Sequence, residues 1–352
     1  MARWMIYGAY GYTGELLARL AVERGDTPIL AGRRAEPLER LGNELGLEHR
    51  ALSLEDSAAM AEGLSDVAAV VHCAGPFGAT ARPMVDACLA TGTHYLDITG
   101  EIGTFEMIHR RRDEACAAGV VLLPGIGFDV VPTDCLALML REALPTATHL
   151  ELAFWSGGSS SAGTAKTVVE GLPHGGAARI DGRISPVANA WKVRDIPFHR
   201  GERGCATIPW GDVSTAFYST SIPNILVYMS MPPKQVRALR LLEPVRKALG
   251  WGWVQSALRR QVEKRVKGPD AAARAGAWSE VWGEARDGDG GLVTGTLTTP
   301  DGYSLTADSA QRAVVRLLQG EVEPGASTPS MAFGSEYAAT LDGVTVHGIA
   351  RG

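Results

Sequence analysis

The chain has 352 residues, 45% of them hydrophobic, and a formal net charge of −5 at pH 7. This length predicts two domains, or one domain with a large insertion, with ample apolar material for a core. The acidic balance argues against nucleic acid as a general partner.

Cysteine usage and the amino terminus bear on the compartment. The five cysteines are odd in number, widely spaced and without a C-x-x-C pair, so they indicate neither a metal site nor a disulfide framework. The chain begins almost directly with a predicted strand, which leaves no room for a signal peptide. We therefore expect a protein of the reducing cytoplasm that binds no metal.

A glycine-rich turn follows the first predicted strand. Apolar Met5–Tyr7 precede it, and apolar residues at helical spacing follow it, so the turn joins a strand to a helix. Gly8 allows a tight turn, Gly11 allows close approach of a pyrophosphate, and Gly14 allows the helix to pack on the strand. An ordinary turn without a ligand is the alternative, and Thr13 could cap the helix instead of facing a phosphate. We assign cofactor contacts to Gly8, Tyr10, Gly11, Tyr12, Thr13 and Gly14.

Two arginines follow the second predicted strand, Pro28–Ala31. An NAD-specific protein has Asp or Glu here, on the ribose 2′-hydroxyl, whereas this chain has Arg33 and Arg34. Paired guanidinium groups suit the 2′-phosphate of NADP, and one could also lie on the adenine. Two solvated arginines at the start of a helix are the alternative. The pattern favours NADP(H) as the cofactor.

The next predicted elements complete a doubly wound parallel sheet. A loop of Ala74, Gly75, Pro76 and Phe77 follows the buried fourth strand, where ligands lie in such sheets. We assign these four residues to the nicotinamide ribose, with a plain turn as the alternative. The remaining predicted elements are strands Glu48–Leu54, Val67–Cys73, Thr93–Ile98 and Val120–Leu123, and helices Leu38–Leu45, Pro83–Thr91 and Phe105–Ala118.

Asp129 lies on the loop that leaves the predicted sixth strand. This loop must cross the carboxyl edge of the sheet before a helix opens at Pro132. Asp134 reads as an acid in the first turn of that helix. Asp129 is the better candidate for catalysis, because functional side chains concentrate on such loops.

A second domain with a mixed sheet is predicted from His149 onward. The predicted strands are Leu150–Trp155, Gly204–Thr207, Ile225–Met231 and Leu292–Thr299. Ser159–Thr164 lead into a helix that carries Lys166, a candidate proton donor or phosphate ligand. A solvated lysine is the alternative.

A basic segment at residues 234–267 carries ten basic and two acidic residues. Its apolar faces suit an acidic acyl carrier protein or a peripheral membrane contact. Amphipathic helices packed on the second domain, with their charges in water, are the alternative.

Four ordered motifs resemble those of the saccharopine dehydrogenase-like oxidoreductases, and within that group they are most similar to bacterial trans-acting enoyl reductases. Recurring elements of the carboxyl half extend the resemblance, namely Gly268-Pro269 with Arg274, Gly302-Tyr303 with Thr306-Ala307, and Gly325 with Thr328-Pro329 and Gly334. The amino-terminal motifs are Ile6–Gly14, Cys73–Phe77, Tyr95–Glu101 and Gly125–Pro132.

The resemblance implies an α/β fold: a Rossmann-type doubly wound parallel sheet with a second α/β domain that has a mixed sheet. We expect an NADP-binding domain at residues 1–128, a second domain for substrate or dimerisation at 129–329, and a segment at 330–352 that returns to the first. A homodimer stays open.

The leading hypothesis is hydride transfer from NADPH to a conjugated C=C bond of an enoyl thioester, with a small-molecule or carrier-bound acyl substrate. Lys166, Asp129 and Tyr303 are the candidates that would stabilise the enolate, because their loops can face the cleft. Imine reduction is the second reading; its substrate would carry carboxylates, and Arg179, Arg183, Arg194, Arg200 and Arg203 could bind them. A protein that binds a dinucleotide or docks a carrier without catalysis is the third.

Overall fold

The computed structural model describes residues 2–158, 169–265 and 268–352. They form two compact units. The first consists of Met1–Val131 and Tyr303–Asp342, and the second of Pro132–Gly302 and Gly343–Gly352. The chain thus returns to the first unit at Tyr303, well before the predicted residue 330, and its last ten residues belong to the second unit.

The first unit is built on a seven-stranded sheet in the order β15-β6-β5-β4-β1-β2-β3. Every pair of neighbouring strands is parallel. The strands are β1 (Trp4–Tyr7), β2 (Ile29–Gly32), β3 (His49–Ala51), β4 (Ala69–His72), β5 (His94–Asp97), β6 (Val121–Leu123) and β15 (Gly325–Ala326).

One strand of this sheet comes from the far end of the chain. The sequence predicts that β6 completes the sheet, which is wrong: Gly325 and Ala326 pair in parallel with Val121 and Leu122. A strand of two residues is too short to show an alternating pattern, so the sequence gives no sign of it.

The helices of the first unit connect the strands. The predicted helix from Pro83 begins earlier, at Phe77, and holds the proline inside. The predicted helix Phe105–Ala118 is two helices, and Ser57–Leu64 forms an additional one. The helices are α1 (Tyr12–Glu23), α2 (Ala35–Leu45), α3 (Ser57–Leu64), α4 (Phe77–Thr91), α5 (Ile102–His109), α6 (Arg112–Ala118), α12 (Gly302–Leu318) and α13 (Pro329–Phe333). Helix α7 (Val131–Ala143) begins at the boundary between the two units.

The second unit has a mixed sheet, as predicted. Its main path runs β10-β11-β12-β7-β13-β14-β16, with β8 beside β12 and β9 beside β8. β12 and β7 are parallel, and the other neighbours are antiparallel. The strands are β7 (His149–Ser156), β8 (Gly176–Ile180), β9 (Arg183–Val187), β10 (Val193–Phe198), β11 (Gly201–Thr207), β12 (Asn224–Ser230), β13 (Trp278–Arg286), β14 (Leu292–Pro300) and β16 (Thr345–Arg351).

Sequence analysis missed β13, although it lies inside this sheet. Its residues alternate between Trp or Glu on one face and small or apolar side chains on the other. Glu280 and Glu284 are nevertheless buried. A pattern with charged residues at these positions did not predict a strand inside the sheet. The helices of this unit are α7, α8 (Asp212–Thr220), α9 (Pro233–Leu242), α10 (Gly252–Arg265) and α11 (Ala271–Ala275), and Glu243–Gly250 form a 3-10 segment.

Within the described ranges, no helix combines the length and the apolar character needed to cross a bilayer.

Candidate cofactor site

The candidate site lies where the parallel strands of the first unit end. Tyr7, Gly32, His72, Asp97 and Leu123 are the last residues of β1, β2, β4, β5 and β6. Because these strands are parallel, the loops that follow them share one edge of the sheet, which is where doubly wound proteins bind ligands.

The glycine turn is packed too tightly for side chains. Gly8 has φ +85°, and a Cβ added there would lie 2.9 Å from the Cβ of Ala74. A Cβ at Gly14 would lie 2.3 Å from the carbonyl oxygen of Gly8, and one at Gly11 would lie 3.1 Å from the same oxygen. Substitution at Gly8 or Gly14 would therefore push the helix and the strand apart.

The turn leads directly into the first turn of α1. The amide of Gly11 donates to the carbonyl of Gly8 at 2.9 Å, and Gly11 is the N-cap without a side-chain capping bond. The amides of a first helical turn have no partner within the helix and carry the positive end of its dipole. Such a start can hold a diphosphate.

An aromatic ring and a guanidinium group stand beside the end of β2. The guanidinium carbon of Arg34 lies 4.8 Å from the centre of the Tyr10 ring. A Cβ at Gly32 would lie 2.7 Å from Cε1 of Tyr10, so the glycine makes room for the ring. Arg33 and Arg34 are exposed and make no ion pair among the described residues. Both are positioned to bind an added phosphate.

The loop after β4 starts the next helix at the same edge. Gly75 and Pro76 are exposed and joined by a cis peptide bond, and α4 begins at Phe77. The Glu101 carboxylate accepts hydrogen bonds from the Phe77 amide at 2.8 Å and the Gly78 amide at 2.7 Å. A protein carboxylate thus occupies the start of α4.

Asp97 fixes the loops that follow β5 and β6. Its carboxylate accepts hydrogen bonds from the Tyr95 hydroxyl at 2.6 Å and from the amides of Thr99 and Gly125, both at 2.9 Å. Burial raises the pKa of Asp97 to about 6, against the opposing effect of these bonds. Asp97 therefore ties two loops of the site together.

A buried histidine supports the loop after β4. Burial lowers the pKa of His72 to about 3, so the ring is neutral at physiological pH. Its Nε2 lies 3.0 Å from the hydroxyl of Thr80, and that hydroxyl lies within bonding distance of the carbonyls of Ala74 and Pro76. Since the hydroxyl donates to a carbonyl, His72 donates from Nε2 and holds the 74–76 loop through Thr80.

Asp129 lies on the loop after β6, against the backbone of the loop after β5. A Cβ added at Gly100 would lie 2.9 Å from Oδ2 of Asp129. The side chain is half-buried, and burial raises the pKa of Asp129 to about 6. A carboxyl group with this pKa can be either a proton donor or an acceptor near neutral pH.

Tyr303 packs on the start of α1. Its ring meets that of Tyr12 edge to face, with the centroids 4.8 Å apart. Beside it on α12, the Thr306 hydroxyl accepts from the Phe128 amide at 2.9 Å. The helix that returns from the far end of the chain therefore contacts both the glycine turn and the loop that carries Asp129.

The first unit brings most of the sequence candidates to one edge, and their cofactor contacts stay predictions. Lys166 and the Ser159–Thr164 loop lie outside the described residues. Sequence analysis assigned no role to Glu101, Asp97 or His72. Glu101 and Asp97 stand in a motif that carried the family resemblance, whereas nothing in the sequence signalled His72.

This arrangement fits NADP. The glycine turn keeps side chains away from the start of a helix, where a diphosphate would bind, and Arg33 and Arg34 offer cations for a 2′-phosphate. The end of β2 has no acidic residue that would repel such a phosphate.

Comparison with known proteins finds similarity over the amino-terminal third of the chain. Residues 4–123 match the family described as saccharopine dehydrogenase NADP binding domain. The saccharopine dehydrogenase-like oxidoreductase of Rattus norvegicus is 27% identical over 162 residues, which cover 40% of this chain and 37% of that protein. The trans-acting enoyl reductase of Mycobacterium leprae (strain TN) is 34% identical over 141 residues, or 37% of this chain and 33% of that protein. These matches span well under half of each relative.

Two solved structures share the fold over most of the chain. The apo saccharopine dehydrogenase (L-Glu forming) of Saccharomyces cerevisiae aligns with a TM-score of 0.67 and 13% identity, and covers 100% of both chains. The homospermidine synthase of Legionella pneumophila, solved with NAD, aligns with a TM-score of 0.63 and 11% identity over 95% of this chain and 87% of that one. Residues 4–123 therefore match a saccharopine dehydrogenase NADP binding domain, and the chain as a whole shares the fold of saccharopine dehydrogenase.

Proposed function

We propose that this protein is an NADPH-dependent reductase that transfers hydride to a C=C bond conjugated to a thioester. The observation that carries the proposal is the pairing of a glycine turn at the start of α1, too tight for side chains at Gly8 and Gly14, with exposed arginines, Arg33 and Arg34, at the end of β2. The names of relatives that are 31–34% identical, trans-acting enoyl reductases, support the choice of substrate class.

The reaction needs little covalent chemistry from the protein. When bound, the cofactor supplies the hydride. Addition at the β-carbon of an enoyl thioester moves the π electron pair toward the thioester oxygen, and the α-carbon then takes up one proton. The chain's tasks are to orient both reactants, exclude water and deliver that proton.

Asp129 is the first candidate for the proton donor. It lies at the carboxyl edge of the sheet with a pKa raised to about 6, so a useful fraction is protonated slightly below neutral pH. Tyr303, which packs on the start of α1, is the second candidate. Lys166 remains the third on sequence grounds alone.

The arginines that imine reduction would need are partly engaged in structural bonds. Arg179 donates to the carbonyls of Val213 and Gly182, both at 2.8 Å. Arg194 pairs with Glu151 at 2.6 Å and with Glu284 at 2.8 Å. These contacts hold the second unit together, which favours the enoyl substrate over one rich in carboxylates.

The test is NADPH consumption with short 2-enoyl thioesters of N-acetylcysteamine, followed by mass spectrometry of the product. We expect one saturated thioester per NADPH, and one deuterium at the β-carbon when the cofactor carries deuterium at the transferred position. The Asp129→Asn variant is the matched comparison, because it keeps the shape of the side chain and removes its proton.

Two other outcomes would contradict the proposal. Consumption of NADPH with carboxylated imines but with no enoyl thioester would indicate imine reduction. Tight NADPH binding without turnover of either substrate class would indicate a dinucleotide-binding protein without catalysis.

A further inference from the structure

Exposed large apolar side chains cluster in one segment of the second unit. Nine such side chains are exposed in the described residues, and five of them lie between residues 241 and 253. We call these five the apolar patch: Leu241 at 79% exposure, Leu242 at 42%, Val245 at 55%, Trp251 at 59% and Trp253 at 71%.

Four polar side chains of this segment form hydrogen bonds within the second unit. Arg240 donates to the carbonyl of Ala190 at 2.9 Å, and Arg246 to that of Pro173, also at 2.9 Å. Glu243 accepts from Asn189 at 3.0 Å. The Gln255 side chain, 8% exposed, donates to the carbonyl of Leu249 at 2.8 Å.

The segment packs on the second unit through few apolar side chains. A helix packed on a globular core buries its apolar residues, and α9 does so with Val236 and, in part, with Leu239. The five side chains of the apolar patch stay exposed. Exposed apolar groups gathered in this way mark an interaction surface.

The charge of the segment indicates which kind of partner would bind the apolar patch. Residues 234–267 carry ten basic and two acidic residues in a chain whose net charge is −5. Lys234, Arg237 and Lys247 are exposed and make no ion pair within the described residues. The rings of Trp251 and Trp253, with centroids 6.4 Å apart, have the amphipathic character that places Trp at the boundary between lipid and water.

We propose that the apolar patch inserts into the interface of an anionic lipid bilayer while the surrounding basic side chains bind lipid head groups. The patch buries apolar area among the acyl chains, and the cations add electrostatic attraction. A basic surface alone would be enough to bind an acidic carrier protein. The two exposed tryptophans and the leucines of the apolar patch therefore favour a lipid surface.

The test uses the full chain with vesicles of phosphatidylcholine, with and without phosphatidylglycerol. Co-sedimentation and the tryptophan emission maximum report binding. We expect anionic vesicles to bind the protein and shift the emission to shorter wavelength, and we expect salt to weaken binding. Trp251→Ser combined with Trp253→Ser should lower the partition coefficient at least about ten-fold. Arg237→Gln combined with Lys247→Gln should lower it roughly 30-fold at low salt.

Matched controls are Ile180→Ser and Met331→Ser, which remove exposed apolar side chains outside the patch and should leave partitioning unchanged. Circular dichroism verifies that each variant is folded. Three results would overturn the proposal: no vesicle binding at low salt, equal loss of binding in the controls, or a patch that mediates self-association or binding of an acidic carrier protein without binding vesicles.

Discussion

At the scale of single residues, we attribute the choice of cofactor to Arg33 and Arg34. Strand β2 delivers them to the carboxyl edge of the sheet, and Arg34 stacks on Tyr10. A guanidinium group binds a phosphate through parallel charge-assisted hydrogen bonds. NADPH carries a 2′-phosphate on its adenosine ribose for such bonds, whereas NADH has a hydroxyl there. Arg33, which has no aromatic partner among the described residues, is the better placed of the two to bind the 2′-phosphate.

We expect Arg33→Asp to weaken NADPH binding by roughly 10- to 100-fold, the value of one or two charge-assisted bonds, and to change NADH binding little. The measurement is equilibrium titration with each cofactor. Arg40→Asp, an equal change of charge at an exposed position of α2, is the matched control. Equal loss of affinity for both cofactors would reject the assignment.

Under the proposed role of Asp129 as proton donor, the reaction should depend on pH. Its raised pKa of about 6 means that the proton-donating form declines as the pH rises through 6, so kcat/KM should fall over that range. Asp129→Asn should lower kcat/KM by about 10²- to 10⁴-fold and remove this decline. Asp97 also has a pKa near 6. If the Asp129→Asn variant retains the decline of kcat/KM, the pH dependence belongs to Asp97 and not to Asp129.

The same group gives a separate expectation for stability. The ordinary pKa of Asp129 is 3.8 and burial raises it to about 6, so protonation favours the folded state. Its stabilising contribution is full below about pH 4 and is lost as the pH rises through 6. As the pH rises from 4 to 6, the wild type should therefore lose thermal stability relative to Asp129→Asn. A constant difference across that range would contradict the burial of this carboxyl group.

At the scale of elements, α1 and α4 both begin at the carboxyl edge of one sheet. Glu101 accepts hydrogen bonds at the start of α4, whereas the glycine turn at the start of α1 has no room for side chains at Gly8 and Gly14. We therefore assign the diphosphate to α1 and not to α4.

Glu101→Gln should lower the free energy of unfolding by about 1–2 kcal/mol, because the neutral amide has one acceptor oxygen in place of two and loses the attraction to the helix dipole. Chemical denaturation followed by circular dichroism measures this. Glu39→Gln, on the exposed face of α2, should change it by less than about 0.5 kcal/mol. Equal effects would indicate that Glu101 is not a helix cap.

The sequence predicted these elements unevenly, for physical reasons. Strands β1, β2, β4, β5 and β6 are apolar runs with clear ends, and prediction and structure agree within three residues at each boundary. Helix α4 was predicted from Pro83, since proline usually marks a first turn; the true start at Phe77 depends on Glu101, which is distant in sequence. The cofactor turn is local in sequence, whereas the contacts of His72 and Asp129 arise only when separate loops meet.

At the scale of the molecule, the first unit is discontinuous in sequence. Tyr303–Asp342 supply α12, β15 and the contact of Tyr303 with Tyr12. Helix α12 buries apolar side chains of this unit, Leu305, Ala310, Ala313, Val314 and Leu317. The family match at residues 4–123 therefore does not include everything that this unit needs in order to fold.

A chain that ends at 302 should lose NADPH binding and cooperative unfolding of the first unit, although every glycine of the turn is present. A chain that ends at 342 loses only β16, which lies at the edge of the second sheet, and should retain NADPH affinity within about three-fold. Isothermal titration and thermal unfolding of both chains measure this. Full NADPH affinity in the shorter chain would show that the returning segment is dispensable.

We conclude above all that the carboxyl edge of the parallel sheet holds NADP(H). Titration of the wild-type protein with NADPH and with NADH, followed by the fluorescence of the reduced nicotinamide, tests this directly. We predict saturable binding of one NADPH per chain, with at least about ten-fold preference over NADH. Absence of saturable binding, or equal affinity for the two cofactors, would contradict the account.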